Sequence, residues 1–238
     1  NSSYFYLSVF LLLSTSTYYL YNLNALRQGL SASTLMLGLA IMYQYKSYLT
    51  SFMIIIIGTL LHKSGVIFVF IFVLIEFFKL KLDKSLYFFF ICLFTGFVTQ
   101  DIFLKTSIFF DLNYFIYKFS GLSKSVTGNT SVLVKVFVLT TVLVAFHFLS
   151  RYNNRNNLYS YLLNYYTYYA AFIMLFSSFE SMFNRFLMFP NIFEPILFTL
   201  AITIFKQKKP IFIIVLYFSL GYMVFMFNYP SIVSELRL

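Results

Sequence analysis

Apolar residues run through most of the chain in long stretches, and short polar turns separate these stretches. A helix rises about 1.5 Å per residue and the hydrocarbon core of a bilayer is about 30 Å thick, so about 20 apolar residues span it. The pattern therefore predicts an all-α, polytopic integral membrane protein with about nine transmembrane helices. The predicted segments lie at about residues 3–23, 28–45, 48–61, 64–79, 85–100, 131–150, 158–178, 187–205 and 210–228. The second to fifth segments fall short of that length, which predicts that some helices are short or re-entrant.

Basic residues in the turns predict how the helices are oriented, because short cytoplasmic loops of membrane proteins are enriched in Lys and Arg. The turns on one side contain Lys46, Lys79, Lys81, Lys84, Arg151, Arg155, Lys206, Lys208 and Lys209. These turns are predicted to be cytoplasmic. The opposite, extracytoplasmic side then carries Arg27, His62, Lys63, Glu180 and Arg185.

The longest polar-containing connection lies at about residues 101–130. Long connections in compact proteins are usually functional or disordered. Residues 114–119 fit a short amphipathic helix in the membrane interface, followed by a flexible stretch at 120–130. A lid over a cavity and an ordinary interfacial loop fit this connection equally well. We predict a single transmembrane domain over residues 1–238, with this connection on the extracytoplasmic side.

The composition supports the membrane prediction and narrows the possible partners. The chain is 61% hydrophobic and 10% charged, with 34 Phe and 21 Tyr, which exceeds what a soluble core of this size needs. A net charge of +10 suggests nucleic acid binding in a soluble protein, but here the basic residues orient helices, so no nucleic acid partner is expected. Cys92 is the single cysteine, which excludes an intrachain disulfide and a cysteine-based metal site.

The extracytoplasmic polar residues are the candidates for chemistry, since the sequence carries no glycine-rich phosphate loop, nucleophile elbow or metal-ligand spacing. Arginine donors match phosphate oxygens, so Arg27 and Arg185 are predicted to hold a lipid diphosphate, with Lys63 beside them. His62 can transfer a proton near neutral pH, and Glu180 is the second candidate. Interfacial anchors, a polar helix end and a Glu180–Arg185 ion pair are the structural alternatives.

Two stretches resemble the EpsG-type branch of the Wzy polysaccharide polymerases. Residues 27–32 read Arg-Gln-Gly-Leu-Ser-Ala, and about 35 residues later residues 62–68 read His-Lys-Ser-Gly-Val-Ile-Phe. This spacing is similar to the family's Arg-Gln-x-Leu-Ala-like start and its later His-x-Ser-Ala. Residues 183–190, Phe-Asn-Arg-Phe-Leu-Met-Phe-Pro, resemble the family's arginine-containing segment before a late helix. The resemblance extends from about residue 20 to residue 230.

The chain departs from the family pattern at two places. Lys63 follows the histidine and Gly65 replaces the usual alanine, so the family assigns no role to Lys63. Members usually have several helices before the Arg-Gln segment, whereas one apolar segment precedes it here and Asn1 is not an initiator methionine. We therefore expect that an N-terminal part is missing.

The resemblance implies a membrane-embedded glycosyltransferase at the outer face of the bacterial cytoplasmic (inner) membrane. Such polymerases move a growing glycan from undecaprenyl diphosphate to a hydroxyl of the next lipid-linked repeat unit. In this scheme Arg27 and Arg185 bind the diphosphate, and His62 or Glu180 accepts the proton of the hydroxyl. The implied partners are the undecaprenyl-diphosphate-linked glycan, membrane lipid and a chain-length regulator. No cofactor and no metal is required, because the lipid diphosphate is already an activated donor.

Three other functions stay open on the sequence. An O-antigen-ligase-like enzyme shares the donor chemistry but uses another acceptor. A flippase of lipid-linked glycans should carry charged residues deep inside several helices, whereas Lys135 and Glu76 lie near segment ends. A non-enzymatic membrane subunit fits the composition, which is typical of an AT-rich genome.

Overall fold

Seven α-helices make up most of the residues that the computed structural model describes, which are 26–62, 65–109, 130–152, 157–177, 183, 186–187 and 189–204. The helices are α1 (Leu26–Tyr45), α2 (Tyr48–Leu61), α3 (Val66–Glu76), α4 (Leu82–Phe109), α5 (Thr130–Tyr152), α6 (Asn157–Met174) and α7 (Pro190–Ile204). Each matches one predicted apolar segment, and these residues contain no strand, so the all-α prediction is confirmed. The segments predicted at 3–23 and 210–228 lie outside the described residues, and the nine-helix count stays a prediction.

Helix lengths agree with the expectation that some segments are short. Val132–Arg151 within α5 is, among the described residues, the one stretch long and apolar enough to cross a bilayer by itself. Helices α2 and α3 are apolar but contain only 14 and 11 residues. At about 1.5 Å per residue, α3 extends about half of the hydrocarbon thickness.

Helix α4 is longer than the pattern of apolar residues predicts. It continues through Phe109, so residues 101–109 of the predicted loop are helical. Asp101 and Lys105 interrupt the apolar run, but no glycine or proline follows them in this stretch to break the helical hydrogen bonds. The short amphipathic helix predicted at 114–119 lies outside the described residues.

Helices α1 and α2 form a close hairpin joined by Lys46 and Ser47. Lys46 has a left-handed φ of 53°, an uncommon conformation for a residue other than glycine. A Cβ added to Gly38 would lie 2.6 Å from the Cγ1 of Ile55, and one added to Gly58 would lie 3.1 Å from the Leu35 side chain. The two glycines therefore allow the helices to approach closely.

Helix α6 lies at the centre of the described structure and contacts α3, α4, α5 and α7. Every residue from 162 to 171 is buried, as expected for a helix surrounded by others. Its fully buried aromatic side chains are Tyr159, Tyr165, Tyr166 and Tyr169. Gly96 of α4 fits against the backbone of Met174, where any larger residue would collide. Part of the aromatic excess therefore packs inside the protein.

Candidate functional site

Three distant parts of the chain meet at one end of the helices. The Oγ of Ser31 in α1 donates a 2.6 Å hydrogen bond to the carbonyl oxygen of Gly58 in the last turn of α2. The ring of His62, directly after α2, lies 6.4 Å from the ring of Phe189, directly before α7 (centroid to centroid). A Cβ on Gly65 would lie 3.2 Å from the Oγ of Ser31. We call these five residues the His62 end.

His62 stands where α2 stops and the chain reverses into α3. Its extended backbone, with φ −152° and ψ 124°, ends the helix. Its carbonyl oxygen accepts a 2.9 Å hydrogen bond from the amide of Gly65, which closes the reversal. The imidazole is partly exposed and packs at a tilt of 48° against Phe189. The ring is thus held at the border between the packed aromatic interior and the end of the helices.

The predicted site residues are described to different extents. Arg27 lies in the first turn of α1, one turn before Ser31, and only its backbone is described. Lys63, Glu180 and Arg185 lie outside the described residues. Ser31, one turn after Arg27, lies against Gly58 and Gly65, which flank His62 in the sequence. The convergence of the predicted site residues stays a prediction.

The described neighbours of Arg185 are anchored near His62. On its C-terminal side, the Phe186 ring lies 5.2 Å from that of Phe176, which follows α6. The Phe189 ring lies 5.9 Å from that of Tyr169 within α6, in addition to its contact with His62. These contacts join the third predicted motif to the second across more than a hundred residues of sequence.

An aromatic cluster underlies the His62 end and connects its helices. The ring of Phe68 in α3 lies 5.6 Å from Tyr169 and 6.1 Å from Tyr165, both in α6. The same ring lies 6.0 Å from Phe193 in α7. Packed aromatic rings allow little displacement. They therefore hold the beginnings of α3 and α7 in one position relative to α6.

The opposite end of the same helices carries a second polar cluster. The Oε1 of Glu76 accepts hydrogen bonds from the hydroxyls of Tyr161 at 3.1 Å and Tyr165 at 2.8 Å. The Nζ of Lys46 lies 5.3 Å from the centre of the Tyr43 ring and 5.8 Å from that of the Tyr161 ring. We call these five residues the Glu76 end. The sequence signal for it is the i, i+4 spacing of two tyrosines, which places them on one face of α6.

Glu194 lies in α7, inside an apolar segment, and was not among the residues predicted from the sequence to form the site. Its Oε1 accepts a 3.0 Å hydrogen bond from the hydroxyl of Tyr166 in α6. The Tyr166 ring packs edge-on against Phe146 of α5 at 5.7 Å. A lone acidic residue within the apolar segment 187–205 was the available signal, since such residues usually find a specific partner. Among the described residues, no group of three His, Cys, Asp or Glu side chains is placed to hold a metal.

A comparison with protein families decides the family of this chain. The model of the EpsG family matches residues 1–235. The chain belongs to the EpsG family. No curated protein and no solved structure matches it.

Membership of the EpsG family confirms the resemblance and identifies a membrane protein of polysaccharide biosynthesis. The match includes the stretches around Arg27, His62 and Arg185. In this EpsG-family protein, the His62 end carries an imidazole at a helix end, and Arg27 lies in α1 one turn before Ser31 of the same end. Proton transfer and binding of an anionic group are the chemistry that these residue types support.

Proposed function

We propose that this EpsG-family protein polymerises undecaprenyl-diphosphate-linked oligosaccharide repeat units into a surface polysaccharide, such as O antigen, capsule or exopolysaccharide. The observation that carries the proposal is the contact between His62 and Phe189. It joins two of the family-like motifs, and the bond from Ser31 to Gly58 adds the first motif to the same end. A transferase for a lipid-linked donor needs these groups on one side of the membrane.

The proposed reaction is the attack of an acceptor hydroxyl on the anomeric carbon of the carrier-linked glycan. The new glycosidic bond forms as the bond between the anomeric carbon and the diphosphate oxygen breaks. His62 takes the hydroxyl proton, with Glu180 as the second candidate for this role. Arg27 and Arg185, with Lys63, stabilise the negative charge on the leaving undecaprenyl diphosphate. The lipid diphosphate supplies the driving force, so the scheme uses no nucleotide sugar.

The orientation of the helices supports an extracytoplasmic site. Lys46 contacts the ring of Tyr161, whose hydroxyl binds Glu76, and the turn with Lys79 and Lys81 follows Glu76. The first two basic turns therefore lie together at the Glu76 end, opposite His62. Basic turns of membrane proteins favour the cytoplasm. We accordingly place the His62 end at the outer face of the bacterial cytoplasmic membrane, in a protein with about nine transmembrane helices.

The test is the length of surface polysaccharide in a deletion strain that is complemented with wild type, Arg27→Ala or His62→Ala. We expect the deletion strain to display single repeat units, wild type to restore long chains, and both variants to fail at normal membrane levels. Arg151→Ala is the matched control, because Arg151 is an exposed arginine in the last turn of α5, near the predicted cytoplasmic side. Long chains in the deletion strain, with no second polymerase present, would refute the proposal.

The deletion strain and reconstituted protein distinguish the alternative functions. If the protein is a ligase, long chains accumulate on the carrier but are not attached to their final acceptor. If it is a flippase, repeat units stay at the cytoplasmic face and are not accessible from outside the cell. If it is a non-enzymatic subunit, wild-type protein reconstituted alone with lipid-linked repeat units produces no polymer. The polymerase proposal alone predicts single repeat units exposed at the cell surface.

A further inference from the structure

Ser31 joins the two helix ends that carry the first two motifs. Its Oγ donates a 2.6 Å hydrogen bond to the carbonyl oxygen of Gly58, and the side chain is fully buried. Ser31 follows Arg27 by four residues, and His62 follows Gly58 by four residues, which is about one helical turn in each case. The bond therefore lies one turn inside the two positions that the proposed reaction uses.

Ser31 is also enclosed by close backbone contacts on both sides. A Cβ on Gly58 would lie 3.2 Å from the carbonyl oxygen of Ser31. A Cβ on Gly65 would lie 3.2 Å from the Oγ of Ser31 and 3.1 Å from the Cα of Thr59. The start of α1, the last turn of α2 and the start of α3 thus meet around one hydroxyl. At such a junction a small displacement of one helix moves the others.

A second serine of the same hairpin shows that a small buried side chain does not by itself form a hydrogen bond between α1 and α2. Ser51 of α2 is also fully buried, but its Oγ has no hydrogen-bond partner among the described residues. The Thr34 hydroxyl bonds to the Leu30 carbonyl of its own helix. Of these three hydroxyls, that of Ser31 is the one that connects α1 to α2.

We propose that Ser31 is a positioning residue, which sets the distance between the Arg27 turn of α1 and the His62 turn of α2. This inference rests on the proposed polymerase function. A diphosphate bound at one turn and a proton acceptor at the other must be held within a fraction of an ångström for efficient transfer. Loss of the Ser31 bond should therefore impair turnover more than it impairs binding of the lipid-linked substrate.

The kinetic test uses full-length protein in lipid nanodiscs and lipid-linked repeat units extracted from the deletion strain. We expect Ser31→Ala to lower kcat about tenfold while KM stays within about twofold. Ser51→Ala, the matched loss of a buried hydroxyl, should change both values less than about twofold. An unchanged kcat in Ser31→Ala, with an active wild type, would overturn the inference and leave the proposed function intact.

A distance measurement tests the inference independently of activity. Spin labels at Ser33→Cys and Leu60→Cys, both exposed positions, report the spacing of α1 and α2 in a Cys92→Ala background. We expect Ser31→Ala to broaden the distance distribution and Ser51→Ala to leave it narrow. An unchanged distribution in Ser31→Ala overturns the positioning role. If wild type produces no polymer, the proposed function fails and the label distances still decide whether Ser31 fixes the two helix ends.

Discussion

The two ends of α2 and α3 are joined to the rest of the protein by different contacts. At the His62 end, glycines and one serine hydroxyl bring backbones together, and His62 stays partly exposed. At the Glu76 end, two tyrosine hydroxyls bind one carboxylate, and a lysine lies over the neighbouring rings. The polar groups of the Glu76 end are thus used to hold helices together. The His62 end uses close backbone packing and the Ser31 hydroxyl for that purpose.

The largest expected effect is the loss of polymerisation activity on substitution of Arg27. Arg27→Lys keeps the charge but loses the planar fork of donors, so polymerisation should fall by on the order of 100-fold. Polymer formed per amount of membrane-inserted protein is the measurement. Arg151→Lys is the control, because Arg151 is exposed in α5, and this change should have no effect on polymerisation. Full activity of the Arg27→Lys protein would contradict a diphosphate role for Arg27.

The close backbone contacts of the His62 end predict a loss of stability on overpacking. Gly65→Val adds atoms where a Cβ alone would meet Thr59 and Ser31, so the free energy of unfolding should fall by about 3 kcal/mol. Chemical denaturation in detergent measures the change. Ala40→Val is the control, because Ala40 is exposed on α1 and has room for the larger side chain. Equal stability of both variants would contradict the close contact.

The carboxylate of the Glu76 end should matter for stability and not for turnover. Glu76→Ala leaves the buried Tyr165 hydroxyl without its acceptor, which should lower the free energy of unfolding by about 2 kcal/mol. Glu76→Gln keeps an acceptor oxygen and should lose less. Activity per folded molecule should stay at the wild-type level in both variants. Asp83→Ala, at an exposed acidic residue in the first turn of α4, should change neither quantity.

The smallest expected effect tests a single bond of the Glu76 end. Tyr161→Phe removes one of the two donors to Glu76 and keeps the ring that lies under Lys46, so the loss should be about 1 kcal/mol. The shift of the denaturation midpoint in detergent measures it. Tyr87→Phe is the control, since Tyr87 is 75% exposed. If the activity per folded molecule also falls in Tyr161→Phe, the two ends are functionally coupled.

Local sequence signals predicted the helices well because they depend on neighbouring residues. The segment predicted at 48–61 has the same bounds as α2, and Lys46 marks the turn before it. The end of α4 was predicted too early, since Asp101 and Lys105 resemble a loop when the continuing helix is not known. The aromatic contacts of Phe68 were not predictable, because the pattern of apolar residues does not specify which side chains pack against one another.

The sequence by itself determined an all-helical membrane protein of the EpsG family and placed Arg27 and His62 at the same predicted side. It did so because hydrophobicity, basic turns and motif spacing are read along the chain. Only the tertiary structure decided that His62 contacts Phe189, that Ser31 bonds to Gly58 and that two tyrosine hydroxyls donate hydrogen bonds to Glu76. These contacts join residues far apart in sequence, and the fit between packed helix surfaces selects them.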